Sequence, residues 1–248
     1  MRPSRTVLAA CAVLLLGAIP AQAALVQSAT NTINASTTIA KAFTSNVTAG
    51  SLLIAIADCD TNASASGVSD GVNTWTRATN QIWNFSSHSL EVWSASNVAA
   101  GATTVTMTFT ASSNNVLIIA EYSGVVTSTP LDQVAAAQSG DGINSTPADS
   151  GNTATTTQAD ELQIGATVAF DATHTAANGF TQQGIVTNGI SSSTLSLQDK
   201  TVAATGAYQS QTTLGAANQW AAAIATFKLT TTPTPRRLLL LRVGGTVP

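Results

Sequence analysis

Thr104-Val105-Thr106-Met107-Thr108-Phe109-Thr110 is the stretch of sequence that decides the fold class. Its apolar side chains alternate with threonines, and successive side chains of a β-strand point to opposite faces of the sheet. The stretch therefore predicts a strand with one face in the core and one polar face, as is typical of antiparallel sheets.

Short strands separated by turn residues account for the rest of the chain. Residues 52–57 and 116–120 are continuous apolar runs, which indicate central strands. Residues 134–137 have room for only one helical turn before Ser139-Gly140 ends it. We therefore predict an all-β fold, an antiparallel β-sandwich of the jelly-roll type. Further strands are expected near residues 37–43, 74–82, 89–94, 161–169, 194–199, 206–214 and 220–228.

The first 23 residues have the pattern of a secretory signal peptide. Arg2 and Arg5 supply the positive charge, and residues 7–19 form an apolar run. Ala21-Gln22-Ala23 then offers the small residues of a cleavage site. We therefore expect cleavage after Ala23 and a secreted, extracellular protein.

A lipobox is the alternative interpretation of this leader. Leu8-Ala9-Ala10-Cys11 fits the bacterial pattern, in which the cysteine is acylated, although the apolar run continues beyond Cys11. The leader would then anchor a lipoprotein. The run is too short for a membrane span, which takes about 20 residues, so no transmembrane segment is expected.

The domain is expected at residues 24–229, between the signal peptide and a tail of different composition. Residues 230–235 alternate threonine with proline in the manner of a semi-rigid linker, and residues 236–248 form a short basic and apolar tail. Cys59 is the only cysteine outside the leader, so the processed chain has no internal disulfide. We interpret it as a buried thiol, with an intermolecular bridge as the alternative.

Charge excludes one class of partner. Charged residues make up 8% of the chain, whereas about 25% is usual. Residues 24–229 contain four basic residues against all 12 acidic ones, a net charge of −8. Nucleic-acid binding needs clustered Lys and Arg, so no nucleic-acid partner is expected. A neutral polar surface suits hydrogen bonding to an uncharged polysaccharide.

Three motifs carry a resemblance to a known family. They are Asn73-Thr74-Trp75 after a turn, Glu121-Tyr122-Ser123-Gly124 at the end of an apolar run, and Trp220 followed by four residues and Ala225-Thr226-Phe227-Lys228. The chain resembles a widespread family of secreted bacterial β-sandwich domains of unknown function, over nearly all of residues 25–229. The resemblance implies a β-sandwich that serves as an accessory module of extracellular proteins. It implies no catalytic residues.

Two arrangements would point to a hydrolase. Gly67-Val68-Ser69-Asp70-Gly71 matches the nucleophile elbow of α/β-hydrolases, but that motif needs a helix after the serine, and a strand pattern follows here. We interpret it as a turn. Glu91 and Glu121 are the strand-borne carboxylates that could serve glycoside hydrolysis if the fold brought them together.

Calcium is the candidate cofactor. Asp58 and Asp60 project to one side at the end of a strand, and Asp70 with Asn73 lies in the next loop. Calcium takes six to eight oxygen ligands, and such loops supply them. Solvated turn residues are the alternative interpretation of these four positions.

Tryptophans are the candidate ligand-binding residues. Trp93 shares a strand face with Glu91, and Trp83 and Trp75 lie in polar surroundings. An exposed aromatic ring is a platform on which a sugar ring can pack, although large aromatics in a sandwich also form its core.

The leading functional hypothesis is a non-enzymatic extracellular module that binds a polysaccharide or cell-surface glycan, or contributes to adhesion. A secreted hydrolase of polysaccharide or ester, with an unrecognised site, is one alternative. A structural subunit of a surface layer or fibre is another, because a low charge leaves strand edges weakly protected against self-association.

Overall fold

The computed structural model describes residues 22–230, without residues 62, 84–86, 102, 141 and 171–172 and without the side chains of residues 80–83. The predicted signal peptide up to residue 21, with its lipobox at Cys11, lies outside the described residues. The predicted linker and tail beyond residue 230 also lie outside them.

The described residues form strands and no helix, so the all-β prediction is confirmed. No helix capable of crossing a membrane is present in this part of the chain. The strands are β1 (Ala24–Ala42), β2 (Leu52–Cys59), β3 (Ala65–Ser69), β4 (Thr76–Trp83), β5 (His88–Ala95), β6 (Thr104–Ser123), β7 (Leu131–Gln138), β8 (Ala148–Asp149), β9 (Asp160–Phe170), β10 (His174–Ala176), β11 (Thr181–Thr187), β12 (Ser193–Ala203), β13 (Gln211–Leu214) and β14 (Trp220–Lys228).

Two antiparallel sheets lie face to face in a β-sandwich. Sheet 1 has the order β1-β6-β2-β5-β4, with β3 also paired to β6, and sheet 2 has the order β11-β12-β9-β14-β7. At their edges β1 contacts β11 and β4 contacts β7. The core between the sheets takes alternate side chains of both, among them Leu52, Ile54, Ile56, Leu90, Val92, Ile118, Tyr122, Leu162, Ile164, Val168, Leu195, Leu197 and Phe227.

Each sheet is also covered on its outer face. The register between strands β1 and β6 shifts near Ser36. The part of β1 after Ser36 and the part of β6 before Ser113 lie with β3 over the outer face of sheet 1. A second core, which includes Trp93, Met107 and Phe109, fills the space beneath. A small sheet, β10-β13-β8, packs on the outer face of sheet 2 around Trp220. Every residue of β2 and β5 is therefore buried, which explains the continuous apolar run in β2.

The structure differs from the sequence prediction in several strands. Strands β3, β8, β10 and β11 are not predicted, and β13 begins at Gln211 and not at residue 206. Residues 134–137 belong to strand β7 and not to a helical turn, because they pair with β14, and this pairing outweighs the helix propensity of alanine. Strand β1 starts at Ala24, well before the predicted residue 37. Residues 104–110 and 116–120, predicted as two strands, are parts of the single 20-residue strand β6.

The two ends of the described chain meet at Gly124. The carbonyl oxygen of Gln22 lies 2.5 Å from the position that a Cβ on Gly124 would take, and Gly124 has a φ of +82°. A larger residue would therefore be both strained and in collision with the backbone. The backbone N–H of Thr230 donates to the Gly124 carbonyl oxygen at 2.9 Å. Gly124 thus touches the start and the end of the described chain.

Candidate functional site

Glu91 is the best-connected carboxyl group of sheet 1. It is fully buried and accepts hydrogen bonds from the Ala65 N–H at 3.0 Å, the Ser89 hydroxyl at 3.1 Å and the Trp93 indole N–H at 3.2 Å. Arg77 Nε lies 3.1 Å from it. Burial raises the pKa of Glu91, and these donors and the arginine only partly offset the rise. The cluster ties sheet 1 to its outer layer through Ala65.

The tryptophans take different environments. Trp93 shares its face with Glu91, as strand parity predicts, but that face is the second core and Trp93 is only 9% exposed. The Arg77 guanidinium lies 5.0 Å from the centre of its ring. Trp75 is half-buried against the same core, and the side chain of Trp83 is outside the described part of the chain. Trp93 therefore offers no open platform, and a sugar platform at Trp75 or Trp83 stays a prediction.

Asp58 and Asp60, the first two candidate calcium ligands, each have protein partners. Asp58 is fully buried, and both of its carboxylate oxygens lie 3.0 Å from His88 Nδ1. Burial lowers the pKa of His88, but the Asp58 carboxylate outweighs it and the pKa is raised, so the pair favours an imidazolium. Asp60 accepts hydrogen bonds from the Asn114 backbone N–H at 2.8 Å and side-chain amide at 2.7 Å.

Asp70 and Asn73 stabilise their own turn. One Asp70 oxygen accepts from the backbone N–H groups of Val72 and Asn73, at 3.0 and 2.7 Å, and the other accepts from the Asn73 amide at 2.7 Å. The Asn73 carbonyl oxygen accepts from the Ala99 N–H at 2.9 Å. Across the described ranges, no group of three His, Cys, Asp or Glu side chains is placed to hold a metal ion.

Calcium at this end of sheet 1 stays a prediction with a direct test. An ion bound only to the native state must raise its stability by mass action. If Asp58, Asp60, Asp70 and Asn73 bind calcium by exchanging their present partners, EDTA should lower the melting temperature and added Ca²⁺ should restore it. An identical melting curve of the metal-free protein with EDTA and with Ca²⁺ would remove these four residues as ligands.

Ser69 lies at the end of strand β3. Its hydroxyl oxygen accepts a hydrogen bond from the Gly71 N–H at 3.1 Å, and strand β4 follows the turn. His174, the histidine that a nucleophilic Ser69 would need as a base, belongs to strand β10 and lies 2.7 Å from the Ser196 hydroxyl. This local geometry is that of a turn, because no helix receives the serine as a nucleophile elbow requires.

Glu91 and Glu121 are far apart on the same face of sheet 1. Ala57 of β2 pairs with Glu91 on one side and with Leu117 on the other, and Glu121 lies four residues beyond Leu117. Four residues of strand span roughly 13 Å. The catalytic carboxyl groups of glycosidases are about 5–9.5 Å apart. The two glutamates therefore do not form such a pair.

The cleft that we consider the candidate binding site lies between the two sheets at one end of the sandwich. Its volume is about 380 Å³. It is lined by Gln22, Ala23, Leu25, Leu162, Gly179, Thr181, Gln183, Asp199, Lys200 and Thr201. Sequence reasoning missed it because these residues come from four distant segments, and no short motif marks any of them.

Asp199 is the central polar group of the cleft. The Gln183 side-chain amide donates to its carboxylate at 2.9 Å, and the Tyr122 hydroxyl lies near it without a hydrogen bond of normal geometry. Burial raises the pKa of Asp199, and these two neighbours offset the rise only in part. The Lys200 ammonium instead donates to the Asn178 carbonyl oxygen at 2.8 Å.

Another buried carboxyl group lies on the outer face of sheet 2. Glu161 is fully buried, and neither of its oxygens has a hydrogen-bond partner of normal geometry within the described residues. Burial raises its pKa to about 7, and the neighbouring Asp132 carboxylate adds to the rise. Burial would raise the pKa of Asp132. Its carboxylate, however, accepts hydrogen bonds from the Thr157 backbone N–H and hydroxyl, both at 2.6 Å, and lies near the Lys228 ammonium, so its pKa is lowered to about 2.

Comparison of the chain with protein-family models, curated proteins and solved structures finds no match. The resemblance to secreted bacterial domains therefore stays a prediction.

Proposed function

We propose that this protein is a non-enzymatic extracellular module that binds a polysaccharide or cell-surface glycan in the cleft between the sheets. The observation that carries the proposal is the composition of the cleft. The lining is mainly polar: Thr181, Gln183 and Asp199 supply hydrogen-bonding groups, and the half-buried Leu25 supplies a small apolar surface. In sites for small ligands, a few convergent polar groups in a concave pocket fix the orientation of the ligand.

A sugar ring matches this arrangement. One C–H face suits contact with the half-buried Leu25, and its hydroxyl groups both donate and accept hydrogen bonds. The Gln183 amide and the threonine hydroxyls also do both, and the Asp199 carboxylate accepts. The volume of about 380 Å³ lies within the range of roughly 300–1,000 Å³ that is usual for ligand pockets. One or two sugar residues of a chain would fill it.

Charge favours a neutral polymer over an acidic one. The net charge of −8 over residues 24–229 repels polyanions at long range. Within the cleft, the Lys200 ammonium is already bound to the Asn178 carbonyl oxygen. The predicted signal peptide would deliver the domain to the compartment where such polysaccharides occur.

Gln183→Ala is expected to weaken binding at least tenfold, since losing a hydrogen bond worth about 1.4 kcal/mol changes the affinity by that factor. Gln182→Ala is the matched control, because Gln182 is the exposed neighbour outside the cleft. The measurement is retention on insoluble cellulose, xylan, mannan and chitin, followed by titration with the matching soluble oligosaccharide.

The same experiment separates the alternative functions. Reducing ends released into the supernatant would indicate a hydrolase and contradict a non-enzymatic module. Sedimentation that rises with protein concentration, without polysaccharide, would indicate a structural subunit that self-associates. Retention that Gln183→Ala and Gln182→Ala leave equally unchanged would place the binding site elsewhere, with Trp75 and Trp83 as the next candidates.

A further inference from the structure

Gln22 and Ala23 form one wall of the cleft. Both residues line it, and Ala23 also packs against the core between the sheets. The Gln22 carbonyl oxygen reaches Gly124 at a distance that only glycine permits. Gln22 and Ala23 thus border the cleft on the side where the described chain begins.

The predicted cleavage site coincides with the end of this wall. Ala21-Gln22-Ala23 is the small-residue pattern that precedes signal-peptide cleavage. Strand β1 begins at the next residue, Ala24, which pairs with Ser123 as the first rung between β1 and β6. Cleavage after Ala23 would therefore remove the wall and leave the strand intact.

We infer that removal of Gln22 and Ala23 opens the cleft, so that the chain that begins at Ala24 is the form that binds the glycan. The inference rests on the proposed function. The reaction is hydrolysis of the Ala23–Ala24 peptide bond by a signal peptidase. The hydroxyl of water goes to the Ala23 carbonyl carbon, and the water proton goes to the Ala24 nitrogen, which becomes a free amino group.

The new amino group changes the chemistry of the cleft. In the uncleaved chain the Ala24 nitrogen is part of the amide bond to Ala23, which lines the cleft. After cleavage the same nitrogen carries N–H donors at the edge of the cleft, which the Asp199 carboxylate also lines. The described part of the chain gives Asp199 no basic partner, since its close contacts are the neutral Gln183 and Tyr122. The processed cleft thus gains both volume and donors for sugar hydroxyl groups.

The test compares two chains that differ by two residues, one starting at Gln22 and one at Ala24, both continuing to Pro248. Their affinities for the hexasaccharides of cellulose, xylan, mannan and chitin are measured by calorimetry. We expect the chain from Ala24 to bind at least tenfold more tightly than the chain from Gln22. Mass spectrometry of the full-length protein exported from a bacterial host should give Ala24 as the first residue.

Each other outcome has a distinct meaning. Equal affinity of the two chains would overturn the inference and leave the proposed function standing. No binding by either chain would overturn the proposed function, and the inference with it. An exported protein that starts at an acylated Cys11, or a chain from Ala24 that does not fold, would overturn the inference directly.

Discussion

Glu161→Gln is expected to stabilise the protein by about 3 kcal/mol at pH 8 and to have little effect at pH 4. The Glu161 carboxyl group is buried and has a pKa of about 7 in the folded chain, against 4.5 when unperturbed. Between these values the unfolded chain loses the proton and the folded chain keeps it. The free energy of unfolding of the parent protein therefore falls as the pH rises from 4.5 to 7. Glutamine carries no proton to lose, so the variant avoids this fall.

Urea unfolding at several pH values measures the difference between parent and variant. Glu121→Gln is the control, and we expect this substitution to destabilise the protein. Its carboxylate accepts hydrogen bonds from the Thr48 N–H at 2.7 Å, the Ser51 hydroxyl at 2.9 Å and the Gln27 amide at 2.7 Å. An amide group placed there would oppose a donor, at a cost of about 1–3 kcal/mol. A Glu161→Gln effect that does not change with pH would show that the pKa of Glu161 is the same in the folded and in the unfolded chain.

Trp93→Ala is expected to destabilise the protein by about 3–5 kcal/mol, as truncation of a buried large aromatic does. Trp93 fills the second core, its indole N–H donates to Glu91, and the Arg77 guanidinium lies over its ring. The substitution leaves a cavity and takes one donor from a buried carboxyl group. For a domain of this size the melting temperature should fall by roughly 10 °C.

Trp93→Phe separates the two contributions, because it keeps most of the ring volume and removes only the N–H. We expect it to cost about 1–2 kcal/mol. Both variants are measured by thermal unfolding and by retention on polysaccharide. If Trp93→Ala left the melting temperature unchanged and abolished retention, Trp93 would be a ligand platform and its burial in the second core would not hold in solution.

The central strands could be predicted from the sequence because buried strands need apolar side chains, and these form local patterns within each strand. The alternation at residues 104–110 and the apolar run of β2 both mark strands that the structure contains. The sequence pattern predicts strand β1 only from residue 37, because β1 lies at the edge of sheet 1 and its first half is only partly buried. An edge strand needs little hydrophobic patterning, since one neighbouring strand supplies its hydrogen bonds.

The environment of the candidate residues could not be predicted in the same way. Strand parity placed Trp93 and Glu91 on one face, as the structure has them. Whether this face of sheet 1 meets the solvent depends on the outer layer formed by β1, β3 and β6. That layer could not be predicted, because β3 and β6 pair although they are far apart in the sequence. The cleft also depends on contacts between distant segments, with Leu25 and Thr201 at opposite ends of the domain sequence.

Because both ends of the described chain contact Gly124, the two ends of the domain are adjacent in space. Domains whose ends are adjacent tolerate circular permutation and insertion into a host loop. Insertion of the domain into a loop of a host protein would therefore join both of its ends to nearly the same point of the host. A short linker between the two ends would likewise give a circular permutant in which both sheets keep their strand order.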